Sequence, residues 1–162
     1  MTLMLYLMLY LGSDNYVIKA SDVIEIVPLV KLTLIPRAPD YVAGMFNYRG
    51  AAVPVIDMRR LITNRPFRSV MSTRIILVNY PVAVAQNRVL GLIAEHVTDM
   101  LQLEEESFVD PVIRVTDVPH MSEIIAGQAG VIQRIDLEKI LPEDVRKILF
   151  PESRSKLVSQ VS

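Results

Sequence analysis

Residues 40–61, DYVAGMFNYRGAAVPVIDMRRL, decide how the rest of the chain is read. Two short β-prone runs, MFNYR and AAVPVI, meet at Gly50, a residue with no Cβ to penalise a sharp reversal, so the stretch predicts a hairpin. Pro54 cannot donate to a ladder, which restricts it to an edge strand, a strand start or a bulge, so the second run is expected to have one open side. Asp57 stands before MRRLI, where a carboxylate accepts from the free N–H groups of a helix start. The unit reads as hairpin, then one short helix.

Outward from it, the flanks are β-rich. MTLMLYLMLYL is shorter than the roughly 20 apolar residues a membrane span needs and has no basic leader or small-x-small cleavage site. Leu3 to Leu11 therefore reads as a buried strand, with GSDN (12–15) as its turn and YVIK behind it. Ala20-Ser21-Asp22 allows one helical turn before VIEIVPLV. Alternation there puts Val23, Glu25 and Val27 on one face, and Ile24 and Ile26 on the other. A glutamate so placed marks either a solvated strand face or a docking patch of valines around one charge. Residues 40–43 are compatible with a helical turn, and TNRPFRSVMS (63–72) reads as a basic surface loop.

The second half is built alike. TRIILVNY (73–80) is a strand and Gln86-Asn87 a turn candidate; VLGLIAEHVTDMLQL (89–103) predicts two strands with a bend near Glu95-His96, because Gly91, Val97 and Thr98 disfavour a helix. VIRVTDV (112–118) suggests a short strand, PHMSEIIAGQAG contains a loop bounded by Gly127 and Gly130, and VIQRID (131–136) is the last strand. Asp136 caps LEKIL, PEDVRKILF is a helix with dipole-favoured charge order, and a frayed tail is expected over 151–162. The fold class is mainly β, barrel type, with short helices, and a pair of small SH3-like barrels fits the strand spacing.

The chain of 162 residues has no cysteine, which removes disulfides, thiolate metal sites and thiol nucleophiles. A formal net charge of −1 gives no global pull toward nucleic acid or anionic lipid, and a cytoplasmic setting is expected. The two histidines, His96 and His120, lack metal-site spacing, and no phosphate cradle or nucleophile elbow occurs. No cofactor and no metal are expected. A small-ligand or hydrolytic barrel using His96 or His120 with nearby acids remains the rival to a non-catalytic adapter.

The runs VIEIVPLV and LIPRAPDYVAGMFNYRGAAVPVIDMRRLI resemble the CheW family of chemosensory coupling proteins. The match follows P-x-A-P-x-x-[IV]-x-G, then N-x-R-G, then V-P-V-[IV]-D-[LM]-R. VLGLIAEHVTDMLQL and IIAGQAGVIQRIDLEKIL are similar to the family's later segments, so that the likeness spans about residues 5 to 150. It implies two intertwined five-stranded barrels in one domain over residues 1–150. It also implies a non-catalytic adapter linking the regulatory domain of a CheA-type histidine kinase to the cytoplasmic tips of chemoreceptors, without inserting in the membrane. By motif position, Val23, Glu25, Asn47 and Arg49 would lie at partner-facing surfaces, with Gly44 and Gly50 shaping them and Asp57 and Arg59 in a structural or interface role. Phe46, Tyr48, Glu95-His96 and the arginine-rich loop depart from the family's usual residues, which points to a divergent member of an alternative, surface-sensing pathway. A CheA-type kinase or a receiver-bearing coupler would need more chain than this.

Overall fold

A computed structural model describes residues 2–83, 86–109, 121–127 and 130–151. The chain runs β1 (Leu3–Leu11), β2 (Asp14–Lys19), β3 (Val23–Pro28), β4 (Val42–Tyr48), β5 (Ala51–Asp57), α1 (Met58–Thr63), β6 (Arg74–Ala83), β7 (Gln86–Ala94), β8 (His96–Glu104), β9 (Met121–Gly127), β10 (Gly130–Ile135) and α2 (Glu143–Leu149). Single 3₁₀ turns cover Ala20–Asp22, Glu105–Ser107 and Leu137–Lys139.

The strands form two five-stranded sheets, ordered β8-β1-β2-β10-β9 and β3-β6-β7-β5-β4. The second uses the middle of the chain, while the first joins the two opening strands to the last three. Parallel pairing of β2 with β10 holds that union together, as β5 with β7 does in the other sheet. Read circularly from β8, both sheets have the same strand order and the same parallel and antiparallel pairs. The duplication reaches the sequence: IDMRRLI (56–62), after the β4–β5 hairpin, returns as IDLEKIL (135–141) after β9–β10. Each sheet curls toward closure by the same device. The segment after its first strand bridges the hairpin, Thr33 to Met45 in one and Val109 to Ile124 in the other.

Burial follows from this arrangement. Val53, Val55, Ile75, Leu77 and Ile93 fill the barrel of the β3–β7 sheet. Tyr6, Val17 and Phe108, with Met4, Met8 and Leu103, fill the other. The largest cluster lies in the seam between barrels, where Leu7, Leu9 and Leu11 meet Ile56, Ile76, Val78 and Leu92. Tyr6 faces its barrel while Leu7 and Leu9 face the seam, so β1 is covered on both faces from Tyr6 onward, whereas Leu3 and Leu5 at its start stay exposed, against the expectation of a strand buried throughout.

Several expectations change. β5 is internal, with β4 as the edge: β7 pairs with β5 over Val55–Asp57, so Pro54 stands just outside that ladder and the missing N–H is tolerated there. Gln86 and Asn87 belong to β7 and pair with Ala83 and Pro81, not to a turn. The turn after β1 shrinks to Gly12-Ser13 because Asp14 already pairs with Leu11. At 40–43 a backbone turn, Val42 N–H to Pro39 O at 3.0 Å, replaces the helical turn. Within 119–130 the strand β9 runs to Gly127 and β10 begins at Gly130, so those two glycines bound the connection as expected. The expected strand at 112–118, His120, positions 128–129 and the tail beyond Pro151 lie outside the described residues.

Candidate docking surface

The β4–β5 hairpin turns through Arg49 (φ 50°) and Gly50 (φ 88°), two consecutive positive φ values that match the twist of the flanking strands. The arginine occupies an unusual conformation for a residue with a Cβ. Asn47 supports it: its Oδ1 accepts from the Gly50 N–H at 2.8 Å. Asn47, Arg49 and Gly50 are all exposed.

From this tip the next residue back reaches across the barrel. The Tyr48 hydroxyl donates to Glu25 Oε2 at 2.5 Å, and Arg49 Nη2 lies 3.5 Å from the same oxygen. The Arg49 guanidinium sits 5.2 Å from the centre of the Tyr48 ring, close enough for a cation–π contact. The Glu25 hydrogen bond holds the Tyr48 hydroxyl above its ordinary pKa. Because β3 and β4 are the two edges of one sheet, the contact ties the barrel where the ladder does not close. Glu25, Asn47, Arg49 and Gly50 thus come together from separate segments. Tyr48 was absent from the expected set; its only signal was an aromatic two residues after Phe46, on the same face of a strand.

On β3 the alternation holds, but the faces exchange roles. A register shift lies between Val23 and Glu25. Val23 packs against the seam and Val27 against the barrel core, so the expected valine patch is half-buried packing. The outward apolar face belongs to Ile24 and Ile26, about 40% and 39% exposed. Solvent reaches them because β3 has a neighbour, β6, on one side only.

Gly44 lies within β4 behind the hairpin tip, whereas Asp57 ends β5 away from that tip and Arg59 stands on α1. Gly44 is buried at φ 145°, where a Cβ would stand 2.6 Å from the Thr33 carbonyl oxygen. Asp57 does cap α1: Oδ1 accepts from Arg60 N–H at 3.1 Å and Oδ2 from Phe67 N–H at 3.0 Å. Its burial raises its pKa, against the lowering effect of those bonds. Arg59 Nη1 meets Glu95 Oε2 at 2.9 Å with both side chains largely covered. Glu95, at the bend between β7 and β8, also accepts from Arg68 Nε and from the Gly12 N–H. Burial pushes its pKa up, but the Arg68, Gly12 and Arg59 contacts outweigh that and hold it low.

A pH dependence follows with a definite sign. A carboxyl whose folded pKa is lowered adds stability that is complete above its unfolded value, 4.5 for Glu95, and is lost as the pH falls through the folded value. Urea midpoints at pH 7 and at pH 3.5 are expected to differ more for the wild type than for Glu95→Gln. Equal differences would remove Glu95 from the acid response. Asp57, with its raised pKa, acts in the opposite sense, stabilising below 3.8 and less as the pH rises, and is common to both proteins.

The barrels differ in one further respect. Where the β3–β7 barrel is apolar, the other encloses Arg134, paired with Glu105 at 2.8 Å and Glu123 at 2.6 Å and stacked 4.3 Å from the Phe108 ring centre. A polar cleft of about 610 Å³ opens beside it, lined by Lys19, Asp22, Asn79, Glu105 and Asp136 among others. Arg134 and Glu105 are therefore already occupied by each other. His96 is exposed and stacks on Tyr10 at 5.9 Å. Among the described residues no group of three His, Asp or Glu side chains converges on a metal position, and no helix is long and apolar enough to cross a membrane.

Two barrels of duplicated topology, with an open strand and a charged hairpin tip as outward features, define a scaffold-type β domain. A model of the CheW-like domain matches residues 5–145, and the chain belongs to that family. It is 29% identical over 144 residues to the chemotaxis protein CheW of Klebsiella aerogenes, covering 86% of this chain and 82% of that one. With CheW of Bacillus subtilis it shares 26% over 144 residues, covering 87% and 88%. The crystal structure of the scaffolding protein TtCheW from Thermoanaerobacter tengcongensis superposes with a TM-score of 0.76 at 25% identity, covering 90% of this chain and 92% of that one. The protein is a chemosensory adapter. Family membership lends no support to the small-ligand or hydrolytic reading built on His96 or His120.

Proposed function

We propose that this protein couples chemoreceptor tips to the regulatory domain of a CheA-type histidine kinase in the cytoplasm, by docking and without chemistry of its own. The contact surface is the β3 edge with the β4–β5 hairpin: Glu25, Asn47, Arg49 and Gly50 at its centre, Ile24 and Ile26 beside them. Val23 anchors the strand and Gly44 the hairpin, while Asp57 and Arg59 act structurally, at the cap of α1 and the joint with Glu95. A formal net charge of −1 suits a protein partner better than nucleic acid.

The observation that carries this reading is the Glu25–Tyr48–Arg49 cluster, half-buried at Glu25 and Tyr48 and exposed at Arg49. It joins residues from two edge strands, and the neighbouring Ile24 and Ile26 add exposed apolar surface on the other face of β3. Interfaces of this type bury on the order of 1,000 Å² and owe most of their affinity to a few residues. The double change Glu25→Lys with Arg49→Glu tests it, because opposite charges still face each other within the chain while both are reversed toward a partner. Affinity for the kinase regulatory domain and for a receptor-tip fragment, measured by titration calorimetry, is expected to fall at least about tenfold. Unchanged affinity for both would place the docking surface elsewhere.

A further inference from the structure

Both intrachain contacts of the Glu25 carboxylate fall on one oxygen, Oε2. At 3.5 Å the Arg49 contact is an ion pair too long for a good hydrogen bond, and the Arg49 side chain remains 77% exposed. Tyr48 therefore makes the short bond, and its ring carries the guanidinium. In the duplicated barrel the residue in the place of Tyr48 is Gly127, paired with Gly130 as Tyr48 is paired with Ala51. A glycine can neither bind a carboxylate through a side chain nor stack. The strands of the two hairpins pair in the same way, and among the described residues the charged cluster belongs to the β4–β5 hairpin.

Building on the docking surface proposed above, we infer that Tyr48 is its specificity-determining residue. The Tyr48 hydroxyl fixes Glu25 through Oε2, and Oε1 is left to accept from a lysine or arginine that the kinase regulatory domain presents at the open edge of β3. A freely rotating carboxylate on an edge strand would have to be ordered on binding; one already held pays less of that entropy. Leucine or isoleucine at position 48 would preserve the strand and lose the selection.

The test is a double-mutant cycle on calorimetric affinity for the kinase regulatory domain, using the full chain as wild type, Tyr48→Phe, Glu25→Gln and the pair. Glu25→Gln is expected to weaken binding about tenfold or more, as loss of a charge-assisted hydrogen bond does. Tyr48→Phe is expected to weaken it about fivefold, and the double change no more than Glu25→Gln alone, since Tyr48 acts through that carboxylate. A merely structural tyrosine would not show this dependence on Glu25. Tyr48→Leu, with its thermal midpoint measured alongside, is expected to match Tyr48→Phe. Unaltered affinity in Tyr48→Phe, or losses that multiply in the double, would overturn the role of Tyr48 while leaving the docking surface in place. A Glu25→Gln variant that binds like the wild type would overturn both, as would a wild type that does not bind.

Discussion

Replacing Glu95 by alanine is expected to cost about 3–5 kcal/mol of folding stability, the usual penalty for stripping one partner from a buried ion pair. Glu95 is 5% exposed at the bend where the chain leaves the β3–β7 barrel and returns to the first. Its carboxylate accepts from Arg59 on α1 at 2.9 Å, from Arg68 Nε at 2.9 Å and N–H at 3.2 Å, and from the Gly12 N–H at 2.8 Å. Its carbonyl oxygen takes the Ser72 hydroxyl at 2.7 Å. One residue thus joins the β1–β2 turn, the short helix, the basic loop and the crossover between barrels. Alanine would leave the Arg59 guanidinium, 16% exposed, without an acid, whereas Arg68 at 69% can turn to water. Arg59 therefore sets the penalty. Urea unfolding measures it, with Glu95→Gln intermediate because the amide keeps the shape and part of the bonding. A loss below about 1 kcal/mol would mean that water replaces these contacts at little cost. Domains are stable by only about 5–15 kcal/mol, so the predicted loss would also lower the amount of folded protein.

Gly44→Ala is the second large effect, expected at about 3 kcal/mol from backbone strain and overpacking, each worth about 1–3 kcal/mol. At φ 145° the backbone disfavours any Cβ, and the added carbon would meet the Thr33 carbonyl oxygen at 2.6 Å and Leu32 Cβ at 2.9 Å. Neither neighbour is the free end of a flexible side chain. Thr33 and Met45 exchange both backbone hydrogen bonds at 2.8 Å, so the clash falls on the bridge that closes the barrel next to the docking hairpin. Thermal unfolding measures the loss. Kinase-domain binding by the protein that remains folded should weaken too, because the hairpin carries Tyr48 and Arg49. A variant with wild-type stability would show that the connector moves aside freely.

The two positions show where sequence reading succeeds and stops. Asn47, Arg49 and Gly50 form a reversal whose bonds stay within four residues, and Asp57 caps a helix that begins at the next residue. Such features are readable because the chain itself supplies the proximity. Alternation on β3 separated Ile24 and Ile26 from Val23, Glu25 and Val27, yet gave no means of knowing which set met the core. That depended on where β6 and the seam lie. Pro54 pointed to an open side by a sound rule, and the strand is internal because β7 joins it only beyond the proline. Glu95 looked like one charge at a bend.

The residues by themselves determined the β class, the local hairpin and cap, and, through the N-x-R-G and V-P-V-I-D runs, the family. Their information lies in patterns that neighbouring atoms enforce. Only the tertiary structure decided that Glu25 meets Tyr48, that β2 lies beside β10, and that Glu95 rather than an arginine of the motif is the joint between barrels. Those pairings link positions up to more than a hundred residues apart. They exist because closing two sheets and burying a shared seam repays the chain entropy that keeps such segments apart in the unfolded state.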